Sequence, residues 1–328
     1  MATQAIFRPE AEDIQLSDVV PTRELEDCNH LLDDHAALQR FYEANGYILL
    51  RNVLDPASVV QARDAMLAAA VKLGIAAPGD PLGKWTGVPY AGGKEETEIY
   101  SGIAPTLLEH PANAAVLEKV LGEPACTVPM VQYRTYPPDV RLAPVHQDGF
   151  YSPGIDEYKP VWITLTECPR EVGGLRIAVG QNTRGMLHNA GKAGSYYPIP
   201  KDEIPADSWA TTDFHPGDVL IVHPLAPHCA ANNSTDRLRV TFDARVQSAK
   251  NPTALLSTIV SADTNSITVD CALGRRTFAV DDETFIRVAS PGARETRSDL
   301  PTSAKPGLQI VVVREGDRAT MLRRASAG

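Results

Sequence analysis

The chain has 328 residues, of which 43% are hydrophobic and 22% charged, and its formal net charge is −10. That composition predicts a globular core, and the acidity argues against nucleic acid or an anionic membrane surface as a partner, since both attract basic proteins. The five cysteines, Cys28, Cys126, Cys168, Cys229 and Cys271, are scattered and never form a CxxC pair, which argues against a disulfide framework or structural zinc and fits a reducing cytoplasm.

Residues 1–15 lack a positive region followed by an apolar run, so no signal peptide is read there. No stretch of the chain approaches the roughly 18 apolar residues that a membrane-spanning helix requires. From Asp33 to Leu73 the pattern is helical. Asp33 or Asp34 caps "HAALQRFYEANGY", Asn45-Gly46 stops it before the strand "YILLRNV", and Asp55-Pro56 opens a second helix. The following segment, "APGDPLGKWTGVPYAGGKEETEIYSG", is a Gly- and Pro-rich loop punctuated by Trp85, Tyr90 and Tyr100, read as a lid, a substrate wall or a surface excursion. A short helix, "ANAAVLEKVLG", comes next.

Between Cys126 and Gln247 the texture changes to short β-like runs separated by turns: "TVPMVQYRTY", "PVWITLTEC", "LRIAVG", "DVLIVH" and "LRVTFDARV". Helices followed by such runs predict a mainly β fold, a double-stranded β-helix or jelly-roll of cupin type with flanking helices. A boundary falls near "SAKNPTALLS". It divides residues 1–250, the jelly-roll unit, from residues 251–328, read as a small β-rich domain with a structural or association role, including assembly of copies of the chain. That second unit contains no histidine and no carboxylate cluster suited to a metal.

The chemistry is concentrated in "APVHQDGFY". On a strand, His146 and Asp148 point to the same face and supply two adjacent corners of a metal site. A second histidine, His223 or His228, lies about 80 residues on in "GDVLIVHPLAPHCAANNSTDRLRVTFDAR". Two histidines and one carboxylate form the facial set of non-haem Fe(II) oxygenases, which leaves positions open for a bidentate co-substrate and O2. On the last strand Arg237, Arg239, Thr241 and Asp243 share one face, and an arginine there can grip a carboxylate in bidentate fashion.

"VHQDGFY", "PVWITLTEC…VGGLRIAVGQNTRG" and "GDVLIVHPLAPHCAANNSTDRLRVTFDAR", with the opening segment "LQRFYEANGYILLRNVLDPASVVQARDAM", resemble the phytanoyl-CoA dioxygenase family of Fe(II)/2-oxoglutarate oxygenases over about Leu31 to Gln247. The resemblance implies iron ligation by His146, Asp148 and His228, with His223 as a packed neighbour. It implies that Arg239, eleven residues after His228, holds the distal carboxylate of 2-oxoglutarate, and that Gln132, Gln147 and Trp162 lie near that co-substrate. Two departures stand out: "VGQN" at Val179 to Asn182 replaces a common "PGSH", and Ala230 replaces a small hydroxyl residue.

The expected reaction consumes O2 and 2-oxoglutarate, releases succinate and CO2, and oxidises a C–H bond of a small-molecule metabolite. Within this broad family the intact Asp148 favours hydroxylation over halogenation. Arg134, Tyr151, Trp85 and Tyr100 are the candidate substrate-facing residues, with a structural ion pair as the alternative role for Arg134. Two rival readings stay open at this point: a jelly-roll metalloenzyme using another divalent metal without 2-oxoglutarate, and a non-catalytic binding module.

Overall fold

The computed structural model describes residues 19–89, 99–138, 140, 145–151, 158–188, 199, 203–289 and 295–325. Local capping sets the N-terminal helices. Asp34 accepts a hydrogen bond from the Ala37 amide at 2.9 Å, opening the helix His35–Asn45, and Gly46 ends it in the left-handed region at φ 81°. Asp55 does the same for the helix Pro56–Lys72, accepting from the Ser58 amide at 2.8 Å. A helix at Ile103–Leu108 lies between the expected loop, which ends at Gly102, and the expected helix from Ala112. Its Pro105 sits in the first turn, where no amide donor is needed.

Two largely antiparallel sheets form the central body. One orders its strands as Tyr47–Leu50, Val219–Val222, Lys159–Thr164, Arg239–Ser248 and Ala125–Thr127, with Gln132–Tyr136 also paired to Arg239–Ser248. The expected single run "TVPMVQYRTY" is therefore two strands, both laid against the ten-residue strand Arg239–Ser248. The second sheet holds Arg23–Glu24, Trp209–Thr211, Leu175–Ala178 and His228–Ala230.

Alternation explains why the strands of the first sheet read as almost continuously apolar. Ile48 and Leu50 face outward into a cluster with Val59 and Met66 of the second helix and with Leu238, Val240 and Phe242. Tyr47 and Leu49 face inward, where they join Trp162, Leu220, Ile177 and Phe214 between the two sheets. Helices thus cover one side of the first sheet and the second sheet covers the other, so both of its faces are buried. The odd-numbered positions of the long strand (239, 241, 243 and 245) are turned away from the helices.

Residues Ala254–Arg324 form a third sheet of six strands, ordered Gly274–Ala279, Ser266–Cys271, Ala254–Ala262, Gln309–Glu315, Arg318–Arg324 and Phe285–Arg287. Its first strand, Ala254–Ala262, starts inside the stretch read as a boundary. An additional pairing of Ala279 with Arg318 curls this sheet back on itself. One face encloses its own core around Leu255, Phe278, Ile286 and Val312. The other carries Phe285, Val311, Val313 and Met321, which pack against Val128, Met130 and Tyr158 of the central body.

Candidate metal centre

Backbone pairing brings two histidines together. His146 and His228 exchange both main-chain hydrogen bonds, at 3.0 and 2.9 Å, as an isolated antiparallel bridge. Their rings lie side by side with centroids 4.3 Å apart. Asp148 follows two residues later, and its Oδ1 is 3.6 Å from His146 Nε2 and 3.9 Å from His228 Nε2. One ligand atom from each of the three lies within 4.8 Å of the others. The expected same-face geometry arises differently from the strand argument: Asp148 is the first residue of a short helical turn, Asp148–Tyr151. The turn swings the carboxylate back toward the histidines.

The protonation states suit a cation. Burial, then the neighbouring His146, pushes the His228 imidazole down to about 4 against the opposing pull of Asp148. The ring is therefore neutral at pH 7, and its Nδ1 faces the Ala226 carbonyl at 3.0 Å. A proton on Nδ1 satisfies that carbonyl and leaves the Nε2 lone pair for a metal. Burial alone would raise Asp148, but the hydrogen bond from His146 and the charges of His228 and Arg245 hold it well below the usual carboxylate range. An ionised carboxylate and a neutral imidazole are the ligand forms that a divalent metal needs.

His223 lies elsewhere. Its Nδ1 accepts from the Leu225 amide at 3.0 Å, its Nε2 is 3.6 Å from Glu43 Oε2, and its ring packs on Tyr42 at 5.1 Å. The bend through Pro224 and Pro227 separates its direction from that of His228. His223→Ala is expected to keep full metal binding and to cost about 1–3 kcal/mol of folding stability, read by metal titration and chemical denaturation. Metal loss in that variant alone would overturn the choice of His228.

A cavity of about 260 Å³ opens beside the triad. Gln132, Arg134, Tyr136, Trp162, Arg239, Asp243 and Arg245 line it together with Tyr151 and the three triad residues. Arg239 is 3% exposed. Its Nη1 donates to the Gly173 carbonyl at 2.5 Å and its guanidinium lies 5.2 Å from the centre of the Tyr136 ring. Gly173 is held at φ 92°, and a Cβ there would run into the Ala231 carbonyl, so only glycine presents its carbonyl to Arg239 this way. Arg239 Nε and Thr241 Oγ1, two residues apart on one strand face, are buried with no hydrogen-bond partner among the described residues. Arg237, by contrast, is exposed.

The other sequence candidates divide. Arg134 is in the cavity but already neutralised. It pairs with Asp243 across the strands and donates to Tyr136 Oη and Gln132 Oε1, both at 2.5 Å. That is the structural ion pair. Trp162 lines the cavity with its ring set edge-on against Phe214 at 4.9 Å. Tyr151 stands at its exposed side, 5.8 Å from the His146 ring.

Three expectations are corrected. Gln147 does not face the cavity. Its Nε2 donates to the Gly185 and Leu225 carbonyls at 2.8 and 2.7 Å, and its Oε1 accepts from the Leu187 amide at 2.7 Å, so it braces the loop from behind. Tyr100 is a core residue, fully buried, with its hydroxyl 3.0 Å from Thr135 Oγ1. Trp85 packs against the helix-facing core, and its indole N–H donates to the Val88 carbonyl at 2.7 Å. The loop residues around Trp85 bridge to Ala76 and Arg237 and do not wall the cavity, while Tyr90 lies outside the described residues. Sequence reasoning missed Tyr136 and Arg245, although both follow from the strand alternation that places Gln132 and Arg239.

The sequence profile of the phytanoyl-CoA dioxygenase family matches residues 42–241. The chain is 36% identical over 242 residues to 1-deoxypentalenic acid 11-beta-hydroxylase of Streptomyces arenae, covering 69% of this chain and 85% of that protein. It is 32% identical over 242 residues, with the same coverage, to the enzyme of that name from Streptomyces exfoliatus. Among solved structures it resembles a non-heme alpha-ketoglutarate-dependent carbocyclase, SnoK, from nogalamycin biosynthesis, at 19% identity and a TM-score of 0.48 over 65% of this chain and 83% of that one. On the profile match and the two curated relatives, the chain belongs to the phytanoyl-CoA dioxygenase family, the Fe(II)- and 2-oxoglutarate-dependent oxygenases.

Proposed function

We propose that the chain hydroxylates a C–H bond of a small-molecule metabolite, with His146, Asp148 and His228 holding iron and Arg239 holding the distal carboxylate of 2-oxoglutarate. The observation that carries this reading is an orphaned donor in the triad's cavity. Arg239 lines that cavity, and its Nε is buried with no hydrogen-bond partner among the described residues, which is costly to leave unmet. A carboxylate satisfies it. A metalloenzyme without 2-oxoglutarate gives it no use, and neither does a non-catalytic module.

Bound together, iron and 2-oxoglutarate supply the oxidising power, by oxidative decarboxylation to succinate and CO2 with O2. The protein's own residues bind and orient. His228, fixed through Nδ1 by the Ala226 carbonyl, cannot rotate away from Asp148. Gln147, from behind, ties the metal loop to the segments at Gly185 and Leu225. Trp162 and Leu175 give the cavity apolar walls that exclude water from the reacting centre. Hydroxylation is the outcome named for both curated relatives, and the carboxylate at position 148 supports it here.

The opposed sheets support reading the central body as a jelly-roll, and the self-contained core of residues 254–324 supports reading them as a small separate β-domain with a structural role. Among the described residues, no helix is long and apolar enough to cross a membrane. Succinate formation from 2-oxoglutarate tests the function. It should require both added Fe(II) and O2, and should rise when the right metabolite is included. Metabolite oxidation that proceeds without 2-oxoglutarate would contradict the reading.

A further inference from the structure

Residues 185–188 grip the metal loop at its midpoint. His188 is 2% exposed, and its Nε2 accepts the main-chain N–H of Gln147 at 2.9 Å. That amide belongs to the peptide that follows His146 and leads to Asp148. The His188 ring also stacks on Phe150, with centroids 4.2 Å apart and planes 7° from parallel. Phe150 lies in the same short turn as Asp148. One imidazole therefore touches the loop on both sides of the carboxylate. The Gln147 side chain returns to the same segment, at the Gly185 carbonyl and the Leu187 amide.

The arrangement is chemically specific. A buried main-chain N–H is costly to leave unpaired, and here a side chain meets it in place of a carbonyl. An imidazole nitrogen that accepts carries no proton, so the neutral His188 ring bears its proton on Nδ1. The acceptor fixes the plane of the peptide after His146, and the stack fixes the turn that swings Asp148 back toward the histidines. His146 lies on no regular strand, only in its isolated bridge to His228. The bond from the Gly149 amide to the Pro224 carbonyl, 2.9 Å, holds the loop after Asp148. His188 holds it before. The gripping segment is itself anchored: Gly180 donates to the Asn45 carbonyl at 2.9 Å, and Asn182 Nδ2 to the Glu43 carbonyl at 2.8 Å. The departure at Val179 to Asn182 thus fastens the segment to the helix His35–Asn45.

We propose that His188 is a positioning residue of the metal centre, whose Nε2 sets the backbone between His146 and Asp148 so that both reach one cation. With Nε2 engaged by the amide, His188 stands outside the ligand set itself. The inference rests on the iron reading and adds to it a residue whose effect falls on metal affinity. A misdirected Asp148 weakens the metal without removing any donor, and residues that orient ligands are worth about 10- to 100-fold in affinity.

The test is anaerobic calorimetric titration of the full chain with Fe(II), paired with chemical denaturation of the metal-free protein. His188→Phe keeps the stacking ring and removes the acceptor. His188→Gln keeps an acceptor within reach of the Gln147 amide and gives up the ring. His188→Phe should bind Fe(II) about 10- to 100-fold more weakly than wild type. His188→Gln should recover much of that loss, although without the ring it is expected to be the less stable of the two. A histidine with a structural role alone predicts the opposite order, with affinity following stability. Equal affinity in wild type and His188→Phe, or a loss in His188→Gln as large as in His188→Phe, would overturn the proposal. If His188→Phe does not fold, His188→Met takes its place as the acceptor-free match to glutamine in size, with the same outcomes. Wild type that binds no Fe(II) brings down the iron reading and this proposal with it, whereas binding that the variants leave unchanged brings down this proposal alone.

Discussion

Asp148→Ala is expected to fold, to lose iron, and to form no succinate above a few per cent of the wild-type rate. The carboxylate lies 3.6 and 3.9 Å from the two imidazole nitrogens, so it is the only anionic donor in the set. Changes to a residue that only hydrogen-bonds a metal ligand already cost about 10- to 100-fold in affinity, and loss of the ligand itself should exceed that. The fold should survive, because Asp148 starts a short turn and caps no long helix. Metal titration with a circular-dichroism check reads both outcomes. Retained stoichiometric iron in the folded variant would remove Asp148 from the ligand set.

Arg239→Ala should separate the co-substrate from the metal. Iron binding is expected to persist, because the three ligands are unchanged and the Arg239 guanidinium is engaged by the Gly173 carbonyl and the Tyr136 ring. Affinity for 2-oxoglutarate should drop by about 2–5 kcal/mol, roughly 30- to 5,000-fold, the usual cost of breaking a buried charge-assisted pair. Arg237→Ala, on an exposed side chain, should change it by less than about 0.5 kcal/mol. Equal losses in the two variants would show that the clamp has been misplaced.

Local chemistry made much of this legible in the sequence. Asp34 and Asp55 cap helices because a short side-chain carboxylate reaches the amide three residues on, a relation that needs no tertiary information. His146, Asp148 and His228 were readable as residue types at a spacing, but their meeting depends on a two-residue backbone bridge, which spacing does not specify. Gln147 shows a misuse of the same logic. If its two neighbours share a face, it must point the other way, and it does. Arg134 needed the cross-strand register that sets Asp243 opposite Gln132 and brings the ion pair within reach. Trp85 and Tyr100 were assigned by the company they keep in a loop, and aromatic residues in loops are as often core plugs as pocket walls.

Anaerobic optical titration of the wild-type protein decides whether the cavity holds iron and 2-oxoglutarate together. Fe(II) and 2-oxoglutarate added together should produce a weak visible charge-transfer band that saturates at one equivalent of each, and neither should produce it alone. A protein that binds Fe(II) but develops no band at saturating 2-oxoglutarate would contradict the assignment of the His146, Asp148, His228 and Arg239 pocket as an iron and 2-oxoglutarate site.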